Sequence, residues 1–351
     1  MLTQVIAIVF VLGIIVLIHE WGHFMAARSI GIAVQEFAIG VGPALWKKQG
    51  KNTLFSLRCL PLGGYCLFDS DLKGVDHRGR PLSILGRKAP AKIYVSLAGP
   101  VMNFVLASLL FMLLFSFIGL TVGYEAVIGD VQADSPAQAA GIMAGDRILS
   151  IDGQPLISWQ DLSRILSEKA GQENLEFVMQ RGDQEVITQV TPRYHEDEGR
   201  ILIGVVVDAS KTIVEKVNPF QAVFLGLKQT FVMIAAMVGA IIQMITGQIS
   251  VSENLSGPVA LVQIIGETAS SGFVNTLFLT AFLSVNLGIM NLLPVPALDG
   301  GKIVVYIIEL VRRKPMKLEV EGWLNMVGFA LLISLMLLLT FKDIFRVFGG
   351  S

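Results

Sequence analysis

His19-Glu20-Trp21-Gly22-His23 carries the strongest chemical signal in the 351 residues of this chain. Two imidazoles four residues apart lie on one face of a helix, where they can grip one Zn²⁺ while Glu20 reaches a water held by that metal. That combination suits metal-assisted hydrolysis. The motif closes a charge-free apolar run from Val5 to Ile18, so it stands inside a membrane span. Two histidines and a glutamate are costly there unless protein, metal or a water-filled cavity covers them. The alternative is a satisfied histidine pair beside a helix end.

A catalytic zinc usually takes three protein ligands and keeps one position open. Asp299 is the candidate third ligand, within Asn291-Leu292-Leu293-Pro294-Val295-Pro296-Ala297-Leu298-Asp299-Gly300-Gly301. Pro294 and Pro296 rule out a regular helix, and Gly300-Gly301 predicts a flexible turn, so irregular backbone displays Asp299 at membrane depth. Such backbone is tolerated only under a cover of protein or in a wet cavity. The alternative is an aspartate capping a helix that starts at Gly300.

The elements that position these residues follow from composition. Hydrophobic residues make up 53% of the chain and charged residues 16%, with a mean hydropathy of +0.65, which excludes an ordinary soluble domain. Spans are expected at Leu2 to Ala27, Ile93 to Leu120, Phe273 to Leu293 and Trp323 to Phe341. The first has no cleavage signal and should stay in place. Between Arg28 and Lys92 stand eleven basic and four acidic residues, which predicts a cytoplasmic loop; Arg312, Arg313, Lys314 and Lys317 predict another. Thr121 to Pro219 holds eight basic and sixteen acidic residues, as expected of a translocated domain. The net charge of -1 offers nothing to nucleic acid.

His19 stands about 27 Å along its helix, so the histidines belong near the cytoplasmic end of an out-to-in span. Asp299 must reach the same depth. The helix ending at Leu293 must then also run inward, which leaves Val223 to Thr246, despite its apolarity, as an interfacial or re-entrant helix pair.

The translocated segment alternates strand-like runs (Arg147 to Ile151, Leu175 to Gln180, Val186 to Val190, Ile201 to Val207) with a helix from Trp159 to Lys169. Ser135-Pro136-Ala137 opens a shorter helix. With Ala140-Gly141-Ile142 and Gly145-Asp146-Arg147-Ile148-Leu149, this insert resembles a PDZ domain, which implies binding of an extended segment at a sheet edge. Ile203-Gly204-Val205 could supply backbone amides to a carboxylate, or simply end a strand. Cys59 and Cys66 are expected to be free thiols.

Five motifs in order resemble the site-2 protease family, most closely its bacterial regulator-of-sigma-E protease type: His19 to His23, Pro61-Leu62-Gly63-Gly64-Tyr65, Ala98-Gly99-Pro100-Val101-Met102-Asn103, Asn254-Leu255-Ser256-Gly257-Pro258, and Asn291 to Gly301. The PDZ-like insert stands among them. The resemblance implies a polytopic α-helical protein of the bacterial inner membrane, with four transmembrane helices, a membrane-associated β-hairpin region and one extracytoplasmic PDZ-like α+β domain. The divisions are 1–27, first span; 28–92, hairpin region; 93–120, second span; 121–210, PDZ-like domain; 211–272, interfacial or re-entrant segments; 273–301, third span; 302–322, basic turn; 323–341, fourth span; and 342–351, tail. N-terminus, insert and C-terminus would be outside, and the site would lie toward the cytoplasm.

The resemblance also implies an intramembrane zinc endopeptidase: His19, His23 and Asp299 as zinc ligands, Glu20 as general base, and Gly63, Gly64, Tyr65, Asn291, Pro294 and Pro296 as substrate-handling residues. Its partners would be the lipid bilayer and single-span substrates already trimmed by another protease, such as anti-sigma factors and signal-peptide remnants. For Gly63-Gly64 the alternative is a turn, and for Gly99-Pro100 and Asn103 it is packing at the start of a helix. A non-catalytic PDZ-bearing scaffold or a zinc-handling membrane protein are the rival functions. Neither needs Glu20 between two histidines.

Overall fold

A computed structural model of the chain describes every residue except 1, 69–73, 76–78, 170, 196–199, 250–256 and 349–351. Asn254 to Ser256 of the fourth motif thus lie outside the described residues. The chain forms two units, Met1–Phe115 with Pro219–Ser351, and Ser116–Asn218.

The first unit is helical. Its elements are α1 (Leu2–Ser29), α2 (Ala89–Phe117), α5 (Pro219–Ile245), α6 (Pro258–Ser270), α7 (Phe273–Leu292), α8 (Asp299–Arg312) and α9 (Leu318–Phe348). Five of them, α1, α2, α5, α7 and α9, are long and apolar enough to cross a membrane, against the four expected. The additional candidate is α5, a single helix through Ile245 where a helix pair was expected over residues 223–246. No proline interrupts α5 after its first residue, and it packs against α2 at close range. A methyl group on Gly226 would meet the Ser108 carbonyl oxygen at 2.8 Å, and Ser108 donates to Thr230 Oγ1. Met233, Ile234, Met237 and Ile241 complete a core with Phe111, Ala281 and Val285 of α2 and α7.

The expected common depth of His19 and Asp299 survives this correction. The side chain of Gln4, at the start of α1, donates to Ser270 at the end of α6, so α7 begins beside the start of α1 and runs in the same direction. The 13-residue α6 follows α5 and precedes α7. Helix α6 is held at its N-terminus by a buried carboxylate. Asp343 of α9 accepts from the backbone N–H groups of Gly257 and Ala260, satisfying donors that a helix start leaves without partners.

Strands β1 (Val34–Gln49) and β2 (Leu54–Phe68) form the expected hairpin region. Both strands bend, so the sheet has more rows than strands. Glu36 to Ile39 pair on one side with Leu54 to Leu57 and on the other with Gly64 to Leu67. Gly64 to Leu67 is therefore an outer row. Gly63-Gly64 lies inside β2, not in a turn, and Gly63, with φ of +93°, occupies a left-handed conformation suited to glycine at the bend. Phe24, Phe37, Phe55 and Val95 pack this sheet against α1 and α2, directly beside the histidine motif.

The second unit has a four-stranded antiparallel sheet, β6 (Gln154–Pro155), β5 (Arg147–Ile151), β7 (Leu175–Arg181), β8 (Gln184–Val190) in spatial order. Two-stranded pairs surround it: β3 (Leu120–Tyr124) with β12 (Thr212–Glu215), β4 (Ile128–Val131) with β11 (Val205–Val207), and β9 (Arg193–His195) with β10 (Arg200–Leu202). Two helices, α3 (Pro136–Ala139) and α4 (Trp159–Glu168), begin at Ser135 and Ser158, whose hydroxyls accept backbone N–H bonds as N-caps. The expected strand from Ile201 to Val207 is two short strands, interrupted at Gly204, whose φ is +79°. Their core is apolar and contiguous, centred on Ile148, Ile151, Ile165, Phe177 and Met179. This is the make-up expected of a PDZ-like β domain. Buried Asp146 sits at its edge: burial pushes its pKa up, but two hydrogen bonds from Arg181 and one from the Met143 N–H outweigh that and hold it below the usual carboxylate range.

Candidate metal centre

The helical period brings His19 and His23 to one side of α1, with ring centroids 4.9 Å apart. The side of α1 that carries them faces α2 at a contact only small residues permit. A methyl group on Gly22 would lie 2.4 Å from the Ala98 carbonyl oxygen, and one on Gly99 would lie 2.3 Å from His23 Nε2. Gly99 and Pro100 are in the interior of α2, which starts at Ala89, so packing at a helix start does not describe them.

Asp299 arrives from the other side of the fold. After α7, Pro294 and Pro296 break the helix as expected, and Ala297 takes a strained φ of +76°. Asp299 is the first residue of α8, with Leu298 at the N-cap position and no side-chain cap bond, so the capping alternative does not hold. Gly300-Gly301 is not a flexible turn. Both residues belong to the first turn of α8, where any side chain would meet the carbonyl oxygens of Leu292, Leu293 and Val295 at 2.3 Å. These glycines let α8 seat against the Pro294/Pro296 segment. Gly328 of α9 closes the other side, with room for no more than hydrogen against Pro296. Further along α8, buried Glu309 accepts from Lys92 Nζ of α2 at 3.0 Å and from the Met316 N–H at 2.7 Å. The helix that presents Asp299 is thereby tied to the helix that backs the histidines.

Three buried donor atoms converge. His19 Nε2 is 3.2 Å and His23 Nε2 3.1 Å from Asp299 Oδ2, and the two Nε2 atoms are 3.2 Å apart. Among the described residues they form a group able to hold a metal ion. Tetrahedral zinc with bonds of about 2.0–2.1 Å separates neighbouring donors by about 3.3 Å, so this set fits. The far nitrogens both face α2: His23 Nδ1 is 2.8 Å from the Val95 carbonyl oxygen, and His19 Nδ1 is 3.2 Å from Asn103 Nδ2.

Beside the donors lies a cavity of about 370 Å³. Glu20, Gly64, Tyr65 and Asn291 line it together with the three donor residues. Glu20 faces the outer hairpin row, with its Cγ 3.1 Å from where a Gly64 methyl would stand. Tyr65 is hydrogen-bonded by Arg58, whose guanidinium lies over its ring and pairs with Glu36. Asn291 turns back to donate to the Leu287 carbonyl oxygen at 3.1 Å. Gly63, Pro294 and Pro296 shape the neighbouring backbone without lining the cavity. Sequence reasoning missed Lys302, whose Nζ is 3.4 Å from Asp299 Oδ1, and the Lys92–Glu309 pair. One turn of helix between Asp299 and Lys302 was a local signal for the first; nothing local points to the second.

In the second unit, Ile203-Gly204-Val205 borders a groove of about 350 Å³ whose other wall is α4, through Trp159, Leu162 and Leu166.

Residues 7–335 match the model of peptidase family M50. The zinc metalloprotease RasP of Oceanobacillus iheyensis is 31% identical over 432 aligned positions, covering 99% of this chain and all of that protein. RasP of Geobacillus kaustophilus is 30% identical, covering 99% of each chain. Among solved structures, the PDZ domain of an SdrC-like protein from Listeria monocytogenes matches 26% of this chain and 96% of its own length, at 24% identity and a TM-score of 0.23. With a His-His-Asp donor set inside a helical membrane fold and a family match across nearly its whole length, this chain belongs to peptidase family M50, the site-2 proteases.

Proposed function

We propose that the protein is an intramembrane zinc endopeptidase that cleaves single-span membrane substrates, with His19, His23 and Asp299 holding the metal and Glu20 as general base. The observation that carries this is the convergence of the three buried donors beside a cavity that also contains Glu20. Zinc bound there supplies Lewis acidity toward the scissile carbonyl and brings the pKa of a coordinated water toward about 7. The chain's own residues do the rest. Glu20 takes a proton from the attacking water and returns it to the departing amine. His19, His23 and Asp299 are themselves buried, so the metal they would hold is shielded on their side.

A helical substrate hides its carbonyls in its own hydrogen bonds and must unwind to react. The outer row Gly64 to Leu67 offers replacement bonds: among the described residues it is paired on one side only, and Gly64 stands against Glu20. An unwound substrate added to this edge as a further strand would bring its backbone to the catalytic glutamate. Asn291 and the Pro294/Pro296 segment form the opposite approach. The charge asymmetry of the loops supports a site near the cytoplasmic side, with the PDZ-like insert and both termini outside.

The substrate class is tested by offering the reconstituted enzyme one scissile sequence in two forms, as a bilayer-spanning helix and as a soluble peptide. Cleavage of the spanning form alone, or at least about tenfold faster, is expected. Equal rates would refute the intramembrane reading. The insert is proposed to restrict access, its groove taking an extended segment. Replacing residues 124–208 by a short linker should keep cleavage of a trimmed substrate and admit one with a bulky ectodomain. Continued rejection of the bulky substrate by an active deletion variant would refute that role.

A further inference from the structure

Asn103 of α2 is fully buried, and its side-chain amide touches His19 Nδ1 through Nδ2 while its Oδ1 has no hydrogen-bond partner among the described residues. Its backbone carbonyl is fixed from the other side, by the hydroxyl of Ser284 at 2.8 Å. The same helix serves the other histidine two turns earlier, where the Val95 carbonyl oxygen stands 2.8 Å from His23 Nδ1.

A neutral imidazole has one protonated nitrogen and one lone pair. Nε2 of each histidine points at the common donor centre, so for either to bind a metal its proton must be on Nδ1. A protonated Nδ1 needs an acceptor. His23 has one in Val95. For His19 the one described group in reach is the Asn103 amide, and an amide donating through Nδ2 would demand the opposite tautomer, with the proton on Nε2 facing the metal position.

A half-turn of the amide about its last torsion exchanges oxygen and nitrogen in nearly the same space, so the choice between them is made by the hydrogen-bond network. The half-turn replaces one unpartnered amide atom by the other. The cost of the orphan is therefore nearly unchanged, and the bond to His19 decides the balance.

Resting on the zinc reading above, we propose that Asn103 is the positioning residue of the metal centre: in the zinc-loaded protein its Oδ1 accepts the His19 Nδ1–H, fixing the tautomer and the ring plane of that ligand. Val95 does the same for His23 through its backbone, so α2 orients both imidazoles without contributing a ligand. Partners of this kind raise ligand basicity, and their loss weakens metal binding by about 10–100-fold.

The test uses full-length purified protein and zinc dissociation constants from competition with a chromophoric chelator. Asn103→Leu keeps the shape but removes the acceptor; Asn103→Asp keeps an acceptor and removes the donor. The leucine variant should bind zinc about 10–100-fold more weakly, while the aspartate variant should stay within about threefold of wild type. Thermal unfolding of the metal-free proteins separates this from a packing defect. Wild-type affinity in a folded leucine variant would overturn the proposal, and so would an aspartate variant as weak as the leucine one. If the leucine variant does not fold, the aspartate variant decides alone, since a carboxylate cannot replace an amide that donates. The wild-type titration distinguishes the two levels: no zinc in wild type overturns the zinc reading and this inference with it, whereas intact wild-type binding with unaffected variants overturns only the role of Asn103.

Discussion

Glu20→Gln should leave zinc bound at wild-type stoichiometry and slow cleavage by about 10²–10⁴-fold, the range expected when a general base is removed. The two effects separate because Glu20 is outside the set of converging donors, which is His19, His23 and Asp299, yet lines the same cavity. Glutamine keeps the size and loses the ability to take a proton. Asp299→Ala is the contrasting variant: it removes a donor and should lose metal and activity together. Metal content by elemental analysis and cleavage rate on one substrate check both. Near-wild-type cleavage by the glutamine variant would end the assignment of Glu20.

Gly64→Val should cost about 10²-fold in cleavage while the metal stays in place, the penalty typical of about 1 Å of misplacement in a reacting geometry. The first carbon of any side chain there would stand 2.8 Å from the Ala38 carbonyl oxygen, 3.1 Å from Glu20 Cγ and 3.2 Å from Val16 Cγ1. The carbonyl belongs to the strand paired with Gly64 and cannot retreat without opening the sheet. Either the outer row shifts or Glu20 does. Gly63→Ala differs in kind. It has open space, with its nearest neighbour Val41 Cγ1 at 3.8 Å, but a φ of +93°, so it should cost about 1–2 kcal/mol of conformational strain and affect stability more than chemistry. Thermal unfolding beside cleavage rates distinguishes the pair, and full activity of Gly64→Val would remove the hairpin edge from the mechanism.

How much of this was legible in the sequence depends on whether the signal was local. The shared face of His19 and His23 follows from the helical repeat alone, and the break before Asp299 follows from two prolines. Gly300-Gly301 shows the limit of that logic. Paired glycines suggest flexibility, but here they permit close backbone packing between α8 and the preceding segment, which only the tertiary structure reveals. The same holds for Gly63-Gly64, read equally well as a turn until the pairing on β1 places it in an outer row. Residues 223–246 are a different case. Their apolarity suggested one long helix, and the structure has one, α5, where counting crossings had favoured a helix pair; the 13-residue α6, Pro258–Ser270, that follows it is too short to register as a span. Asn103 and the Lys92–Glu309 pair join positions 84 and 217 residues apart. No periodicity encodes contacts of that separation.

The central claim, zinc-dependent peptide hydrolysis inside the bilayer, is tested most directly by one titration on the reconstituted enzyme with a single-span substrate. Cleavage is followed as a chelator removes the metal and zinc is then added back. The account predicts that activity falls in proportion to the zinc removed and returns with one zinc per chain. Undiminished cleavage by the metal-free protein would contradict it.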